Sequence, residues 1–458
     1  MKTREIILFL LVIAFFLREL SQLRQKKWFV QWLSSILPKP KALQAPKIRQ
    51  MKPKSEKDCP YCQKEQTEQT NEAGTKACLH AVIPWSEMKK RKGGRPKQSN
   101  TEGHACLDPN CYYSGITDQT IHALVANGSH GAREKIGDLT CQACQAGFSR
   151  RRNTPLYRLK TPSEVVEKVM LLEAHGVETS VLEEVYQVRE STIRTWLTRG
   201  GEHGRKLHDR FFRNLLLDHV QLDELWGNVK RSAAEVWVWT ATEAKTKIIP
   251  VIQVGERSQA MAYSVLHELK SRLADGCLPI FSSDGLKHYF YAITAHFGFW
   301  HQPETAKKPI WMVWPSLLYG QVIKHHQRRK LVKVEQRVLC GEKADFVSRL
   351  KALGLTGVIN TSFVERLNLT IRERVSKLAR RTWGLAQYTP ELVEHLFWWL
   401  AVYHFVRYHE ELRETLSEPL LRKGRQTPRK YRQRTPTMAA RVINRRWTVR
   451  ELLSYPLL

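Results

Sequence analysis

The hydrophobic and polar positions of this chain change their period near residue 220. Three segments rich in Val, Ile and Trp, at 219–226, 234–242 and 247–254, predict neighbouring strands, and the second alternates with period two. Patterns typical of a helix, a strand ending in a turn, and a second helix follow. The resulting β-β-β-α-β-α order predicts an α/β domain with a mixed sheet.

Further stretches on both sides of this domain have helical spacing. Pro162 near the first turn and Gly176 just past the end bracket one predicted helix. Two long helices are predicted at 362–380 and 390–412. Between them and the sheet, residues 330–341 alternate like an added strand pair.

Two short amphipathic segments, at about 180–186 and 191–198, are joined by Gln187-Val188-Arg189, the spacing of a helix-turn-helix. Their apolar positions predict one packed interface, formed by Val181, Leu182, Val185, Ile193, Trp196 and Leu197. The opposite face is then free to enter a major groove, with Glu190, Ser191, Thr192, Arg194 and Thr195. A helical hairpin in an ordinary bundle is the alternative.

Composition favours a multidomain protein that binds polyanions. The chain has 458 residues, of which 42% are hydrophobic, enough for more than one core. Lys and Arg number 74 against 44 Asp and Glu, a formal net charge of +30. Nucleic acid is the expected partner, although charge alone does not separate DNA from RNA or from an anionic membrane.

Seven of the nine cysteines lie in the first third of the chain, which favours metal sites over a disulfide framework. Two close pairs offer the four thiolates of a tetrahedral structural Zn²⁺: Cys106, Cys111, Cys141 and Cys144. Cys59 and Cys62 are candidates for a second zinc site, with Cys78 and His80, or His104, as partners, or with none.

The first hundred residues contain few other signals. An apolar run at 6–17 is too short to cross a bilayer comfortably. A signal peptide is the alternative, because the run has the length of a signal peptide's hydrophobic region, but no small-residue cleavage site follows it. The run is interpreted as a hydrophobic N-terminal helix within 1–37 of a cytoplasmic protein. Residues 38–104 form a polar, basic linker, in which Arg95 and Pro96 resemble the core of a minor-groove AT-hook. A plain basic linker is the alternative.

Carboxylates in the predicted α/β domain suggest a site for divalent ions, because Mg²⁺ and Mn²⁺ prefer oxygen ligands. Asp223 lies in the first strand, where a charge is out of place unless it faces a site. Its neighbour Glu224 is the rival and points to the opposite face. Asp284 ends the fourth strand, at the edge where ligands collect, although a simple turn aspartate is the alternative.

Glu365 is the candidate for a third acid. Ser362 and Glu365 also fit a capping box, in which the glutamate only satisfies a backbone N–H. However, Glu365, Asn368 and Arg372 share one helix face, where they would serve metal and phosphate together. The competing acid, Glu335, lies in an alternating strand pair far from any helix start.

From about residue 100 to 450 the chain resembles bacterial insertion-sequence transposases with an RNase H-like DDE core. The positions of Asp223, Asp284, Glu365 and Arg372 match that family's motif. His404 and Tyr408 in YHFVRYHEEL depart from its usual Tyr-Asn-Phe and Arg-Pro-His pattern. The resemblance implies a multidomain α+β and α/β fold with three expected parts: a zinc ribbon at 105–160, a helix-turn-helix domain at 161–210 and a catalytic domain at 215–412.

The same resemblance implies a transposase that uses Mg²⁺ or Mn²⁺ to cleave transposon ends and join them to target DNA. Two copies of the chain, or more, are expected in the DNA complex, and no membrane partner is expected. Residues 422–446, in a basic tail at 413–458, hold ten Lys or Arg and no acid, and 325–333 form a second basic cluster. Both suit phosphate contacts, although solvated segments are the usual explanation. A non-catalytic DNA-binding regulator and an RNase H-like nuclease are the alternative functions.

Overall fold

The fold is mixed α+β in a computed structural model that describes 84–87, 100–232, 235–304, 308–328, 330–380, 382, 384–421 and 427–457. The predicted N-terminal helix, Arg95 and the Cys59/Cys62 pair lie outside these residues, as does most of the linker. Among the helices of the described ranges, none is long and apolar enough to cross a membrane.

The first sheet is small and antiparallel, with its strands in sequence order. It consists of β1 (Leu124–His130), β2 (Ile136–Cys141) and β3 (Gly147–Ser149). Its core is a cluster of few apolar residues, among them Tyr113 and Leu139, together with the paired cysteines. Because so small a core buries little apolar surface, a bound metal is the usual additional source of stability.

Three helices follow: α1 (Ser163–Glu173), α2 (Thr179–Tyr186) and α3 (Glu190–Phe211). The predicted start of α1 is confirmed, since Pro162 occupies the N-cap position. The turn between α2 and α3 is made by a left-handed Gln187. The prediction that Val181 and Val185 are buried is wrong, because 46% and 65% of them are exposed. The predicted burial of Leu182 is confirmed, and Tyr186, one helical turn later, packs against the same core.

The third helix runs past the predicted end at 198, through Gly200, Gly201 and Gly204. A Cβ on Gly201 would lie 2.3 Å from the carbonyl oxygen of Glu394, and one on Gly204 would lie 2.6 Å from that of Phe397. The glycines therefore let a later helix approach at backbone contact. Residues 161–210 consequently share a core with the segment that follows them.

Between residues 219 and 340 the strands are β4 (His219–Gly227), β5 (Val236–Glu243), β6 (Val251–Gly255), β7 (Ile280–Asp284), β8 (Gly298–His301), β9 (Ile310–Val313), β10 (Tyr319–Gln327) and β11 (Lys330–Cys340). Six of them form the central sheet, in the order β11-β10-β7-β4-β5-β6. Strands β4, β5 and β6 are antiparallel neighbours, whereas β7 runs parallel to β4 and β10 parallel to β7. The pair β8–β9 forms a separate hairpin.

Helices cover both faces of this sheet. They are α4 (Gln259–Arg272), α5 (Lys287–His296), α6 (Lys343–Ala352), α7 (Ser362–Arg374) and α8 (Thr389–Ala401). Val220 and Leu222 of β4 belong to the cluster that contains α4 and α5. Leu225 belongs to the cluster that contains α7 and much of α8. Because side chains alternate along a strand, Asp223 shares its face with Leu225.

The predicted helix at 390–412 is wrong in its second half. After α8 the chain makes one π-helical turn, Val402–Val406, and then enters β12 (His409–Leu420), which pairs with β13 (Arg429–Arg434). Strand pairing with a distant segment overrides the local helical pattern here. The predicted boundary at 412/413 therefore falls inside a strand.

The predicted basic tail is not only a solvated segment. Two short helices, α9 (Pro436–Ala439) and α10 (Val449–Ser454), end the chain. Leu452 and Leu453 of α10 are buried in the main core. His404 accepts a hydrogen bond at Nε2 from the backbone N–H of Ile249, at 3.0 Å.

Candidate active site and metal centre

Three predicted acids line one cleft of ≈ 600 Å³ at the edge of the central sheet. Asp223 comes from β4, Asp284 is the last residue of β7, and Glu365 lies in the first turn of α7. The parallel register pairs Leu222 with Ser283, so the next residues, Asp223 and Asp284, are neighbours. The two aspartates thus lie side by side on adjacent parallel strands, Asp223 within β4 and Asp284 at the carboxyl end of β7.

Asp223 is held by two hydrogen bonds. Its Oδ2 accepts one from Asn368 Nδ2 of α7 at 2.7 Å, and its Oδ1 accepts one from the backbone N–H of Glu224 at 2.9 Å. Asn368, predicted to bind metal or phosphate, therefore orients the aspartate. Arg372 donates to the carbonyl oxygens of Trp226 at 3.1 Å and Leu378 at 3.4 Å, and so ties α7 to the end of β4.

The two aspartates repel each other in a partly desolvated place. Burial, together with the negative charges of Asp284 and Glu224, raises the pKa of Asp223 to about 7. Burial, followed by the charge of Glu224, raises the pKa of Asp284 to about 6. A divalent cation between them would relieve both the repulsion and the desolvation, so these oxygens can hold one.

Glu365 has different partners. Its carboxylate pairs with Lys324 Nζ of β10 at 2.6 Å and accepts a hydrogen bond from Thr361 Oγ1 at 2.5 Å. The capping-box interpretation is wrong, because Thr361 is the N-cap residue and makes no side-chain capping bond. Glu335, the competing acid, lies on β11 and pairs with His325 and Arg337, apart from the residues that line the cleft.

Glu224 is the residue that sequence reasoning undervalued. It reaches the α5 side of the sheet, as predicted, and accepts a hydrogen bond from Tyr289 Oη at 3.0 Å. Its carboxylate nevertheless lies within 4.8 Å of ligand atoms of both Asp223 and Asp284. The side chain is only 3% exposed and pairs with Arg257, which also lines the cleft. Strand alternation assigns Asp223 and Glu224 to opposite faces of the sheet, but it does not show how close their carboxylates come.

Four cysteines lie close enough together to bind a metal ion, all of their Sγ atoms being within 4.8 Å of one another. The Sγ atoms of Cys106 and Cys144 are 3.5 Å apart, and those of Cys111 and Cys141 are 3.7 Å apart. Tetrahedral Zn–S bonds of about 2.3 Å require S–S distances of roughly 3.8 Å. The predicted four-thiolate group is therefore assembled with suitable spacing.

The pKa values of these thiols are shifted in different directions. Burial raises the pKa of Cys106 well above its ordinary value and that of Cys111 to about 11. Burial also acts on Cys141, but the backbone N–H groups of Cys144 and Ala143 outweigh it and lower the pKa of that thiol. Thiolates are the metal-binding form, so a bound cation would have to offset the cost of burial at the first two cysteines.

The residues predicted to enter a DNA major groove lie at the start of α3. Ile193, Trp196 and Leu197 are buried, which confirms the predicted apolar face of this helix. On the other side, Ser191, Arg194 and Thr195 are exposed, and Thr192 is partly exposed. Arg194 forms an ion pair with Glu190 at 2.7 Å, and Thr195 Oγ1 donates to the carbonyl oxygen of Ser191 at 2.9 Å.

Comparison with known proteins adds no family. No protein-family model and no curated protein matches this chain. What the cleft and the cysteine group do must therefore be argued from their geometry and from the motifs of the sequence.

Proposed function

We propose that this protein is a DNA transposase of the insertion-sequence type, which cleaves element ends and joins them to target DNA. The observation that carries the proposal is the cleft shared by Asp223, Asp284 and Glu365, in which the two aspartates are neighbours on parallel strands. Two-metal phosphoryl transfer needs a few acidic ligands that converge on one point.

The strand order supports this proposal. Three antiparallel strands, β4, β5 and β6, are followed by β7 and β10, each parallel to its neighbour, and the third acid comes from a later helix. This arrangement is the one expected for an RNase H-like DDE core. A fold alone does not imply an activity. The support for the proposal comes from the acids that line one cleft in this topology.

In this proposal Asp223, Asp284 and Glu365 would hold the divalent ions. Bound Mg²⁺ or Mn²⁺ would supply charge stabilisation for the attacked phosphate and for the leaving oxygen. Asn368 keeps Asp223 Oδ2 in place through its amide. Lys324 Nζ and Thr361 Oγ1 both contact Oε1 of Glu365, so Oε2 is the oxygen placed to take a cation while this ion pair stays closed. Water would attack the phosphodiester at the element end, which breaks its P–O3′ bond and releases a 3′-OH. That 3′-OH would then attack a phosphodiester of the target DNA, whose own 3′ oxygen would leave.

The remaining modules provide the DNA contacts of the proposal. Zinc in the four-cysteine group would stabilise the small sheet, and the exposed start of α3 would read the element end as the second helix of a helix-turn-helix. The net charge of +30 favours phosphate binding over a large surface. We expect the protein to act in the cytoplasm on nucleoid DNA, with two or more copies in the complex.

The test incubates purified protein with labelled DNA that carries the sequences flanking its gene, in Mg²⁺ or Mn²⁺. The proposal expects metal-dependent nicking at a fixed end and joined products, both lost in Asp284→Asn. The matched control Asp218→Asn changes an aspartate whose side chain is 48% exposed, and it should act like wild type. Binding without cleavage would favour a regulator, and cleavage without joining would favour a nuclease.

A further inference from the structure

The cleft contains an arginine to which the motif assigns no role. We propose that Arg257 binds a non-bridging oxygen of the phosphate that is cut or joined, and that Glu224 and Trp237 position its guanidinium. This inference rests on the proposed phosphoryl-transfer function and adds to it a substrate-binding residue. It also assigns Glu224 a positioning role in place of a metal-binding one.

Arg257 lies in the loop between β6 and α4 and is held from two sides. Its Nε and Nη2 donate to Glu224 Oε1, at 2.9 and 2.6 Å. Its guanidinium carbon lies 5.0 Å from the centre of the Trp237 ring, a cation–π distance. Two bonds to one carboxylate and one aromatic contact fix both the place and the plane of the guanidinium.

Glu224 is fully engaged by this arrangement. Its Oε1 accepts both hydrogen bonds from Arg257, and its Oε2 accepts one from Tyr289 Oη. The side chain is almost completely buried. A carboxylate with both oxygens occupied, one of them by a guanidinium, is a poor additional ligand for a cation. Its closeness to Asp223 and Asp284 is therefore explained by its hold on Arg257.

Arg257 keeps donors available for a substrate. An arginine has five N–H donors, and Glu224 uses only Nε and Nη2. In the part of the chain that the structure describes, Nη1 donates to no acceptor. The side chain is 42% exposed and lines the cleft together with Asp223 and Asp284. An arginine that served only to neutralise Glu224 would not need to face this opening.

The chemistry of the cleft gives Arg257 a task. A DNA phosphate is anionic, and it must approach a place where Asp223 and Asp284 already repel each other. A fixed guanidinium offers charge and two donors in the geometry that phosphate oxygens accept. Its stabilisation grows as charge develops on those oxygens during the reaction, so it should increase the cleavage rate more than DNA affinity.

The test compares wild type, Arg257→Gln, Arg257→Lys and Glu224→Gln. Three quantities are measured: DNA affinity, Mn²⁺ affinity from the electron spin resonance of free Mn²⁺, and the single-turnover cleavage rate at saturation. We expect Arg257→Gln to cleave about 10²–10³-fold more slowly, with DNA and Mn²⁺ affinities within about threefold of wild type. Arg257→Lys should cleave at an intermediate rate, since lysine keeps the positive charge but lacks the two parallel N–H donors of the guanidinium. Glu224→Gln should slow cleavage without weakening Mn²⁺ binding.

The matched control is Arg231→Gln. Arg231 also lies over an aromatic ring, that of Tyr388 at 5.2 Å, but it does not line the cleft, so its loss should leave cleavage unchanged. Cleavage by Arg257→Gln within threefold of wild type would overturn the inference. So would a loss of Mn²⁺ binding in Arg257→Gln or Glu224→Gln as large as in Asp284→Asn. If wild type itself never cleaves, the proposed function fails, and the inference fails with it.

Discussion

Replacing Asp223 by asparagine should stabilise the metal-free protein at alkaline pH, although it removes a proposed metal ligand. Burial and the neighbouring acids raise the pKa of Asp223 from 3.8 to about 7 in the folded chain. The folded state therefore holds this proton more tightly than the unfolded state does. The stabilising contribution is complete below pH 3.8 and is lost as the pH rises through 7.

The pKa shift of Asp223 sets an upper limit on the gain in the free energy of unfolding that Asp223→Asn can produce. About three pKa units at 1.36 kcal/mol each correspond to at most about 4 kcal/mol at pH 8, and water in the cleft will reduce this value. The substitution introduces no steric conflict, because the amide has the shape of the carboxylate. Asn368 Oδ1 is buried without a hydrogen-bond partner in the described chain, so after rotation of its amide it can accept from the new group.

The assay is urea or thermal unfolding in Mg²⁺-free buffer that leaves zinc bound, at pH 5 and pH 8. We expect Asp223→Asn to be more stable than wild type at pH 8 and the difference to shrink at pH 5. Added Mg²⁺ should stabilise wild type more than the variant. The surface variant Asp218→Asn should show none of these effects. A less stable Asp223→Asn protein at pH 8, or a gain that does not depend on pH, would refute the reasoning.

Three further perturbations test other parts of the structure. Cys141→Ser should lower the zinc content by about one ion per chain in elemental analysis. The control Cys340→Ser changes a cysteine outside the four-cysteine group and should keep the wild-type zinc content. Equal zinc contents in the two variants would contradict a zinc site at the four cysteines. Gly201→Ala should cost about 1–3 kcal/mol in urea unfolding, because its Cβ would meet the carbonyl oxygen of Glu394 at 2.3 Å. Gly147→Ala is the control, because its Cβ would lie 3.9 Å from the nearest atom, Thr140 Oγ1. Equal stabilities of the two variants would argue against the close packing of α3 on α8. Arg194→Gln should weaken DNA binding in anisotropy titrations and reduce the slope of log binding constant against log salt concentration by about one. The control Lys168→Gln, at an exposed lysine, should change neither. An unchanged slope in Arg194→Gln would exclude a phosphate contact of Arg194.

Much of the central sheet could be predicted because its signals are local. Strands β4 and β5 follow from apolar and alternating runs, and the start of α1 from Pro162. The spacing of the cysteine pairs predicted a group that the structure brings within metal-binding distance. In each case the deciding property, a period or a spacing, lies within a few residues of chain.

The missed features depend on distant partners. Strand β12 is a strand because it pairs with β13, and α3 continues through its glycines because α8 packs on them. Val181 and Val185 are apolar but lie on the side of α2 away from the core. The role of Glu224 depends on Arg257, 33 residues further along the chain. Local periodicity does not show which distant segment will pack against a residue.

The central claim, that Asp284 is a metal ligand in a DNA-cleaving site, is tested most directly by exchanging its oxygen for sulfur. Mg²⁺ binds thiolates poorly, whereas Mn²⁺ accepts them more readily. We predict that Asp284→Cys cleaves element-end DNA only in Mn²⁺, while wild type and the control Asp218→Cys cleave in both metals. Equal activity of Asp284→Cys in Mg²⁺ and Mn²⁺, at the wild-type rate, would contradict the account.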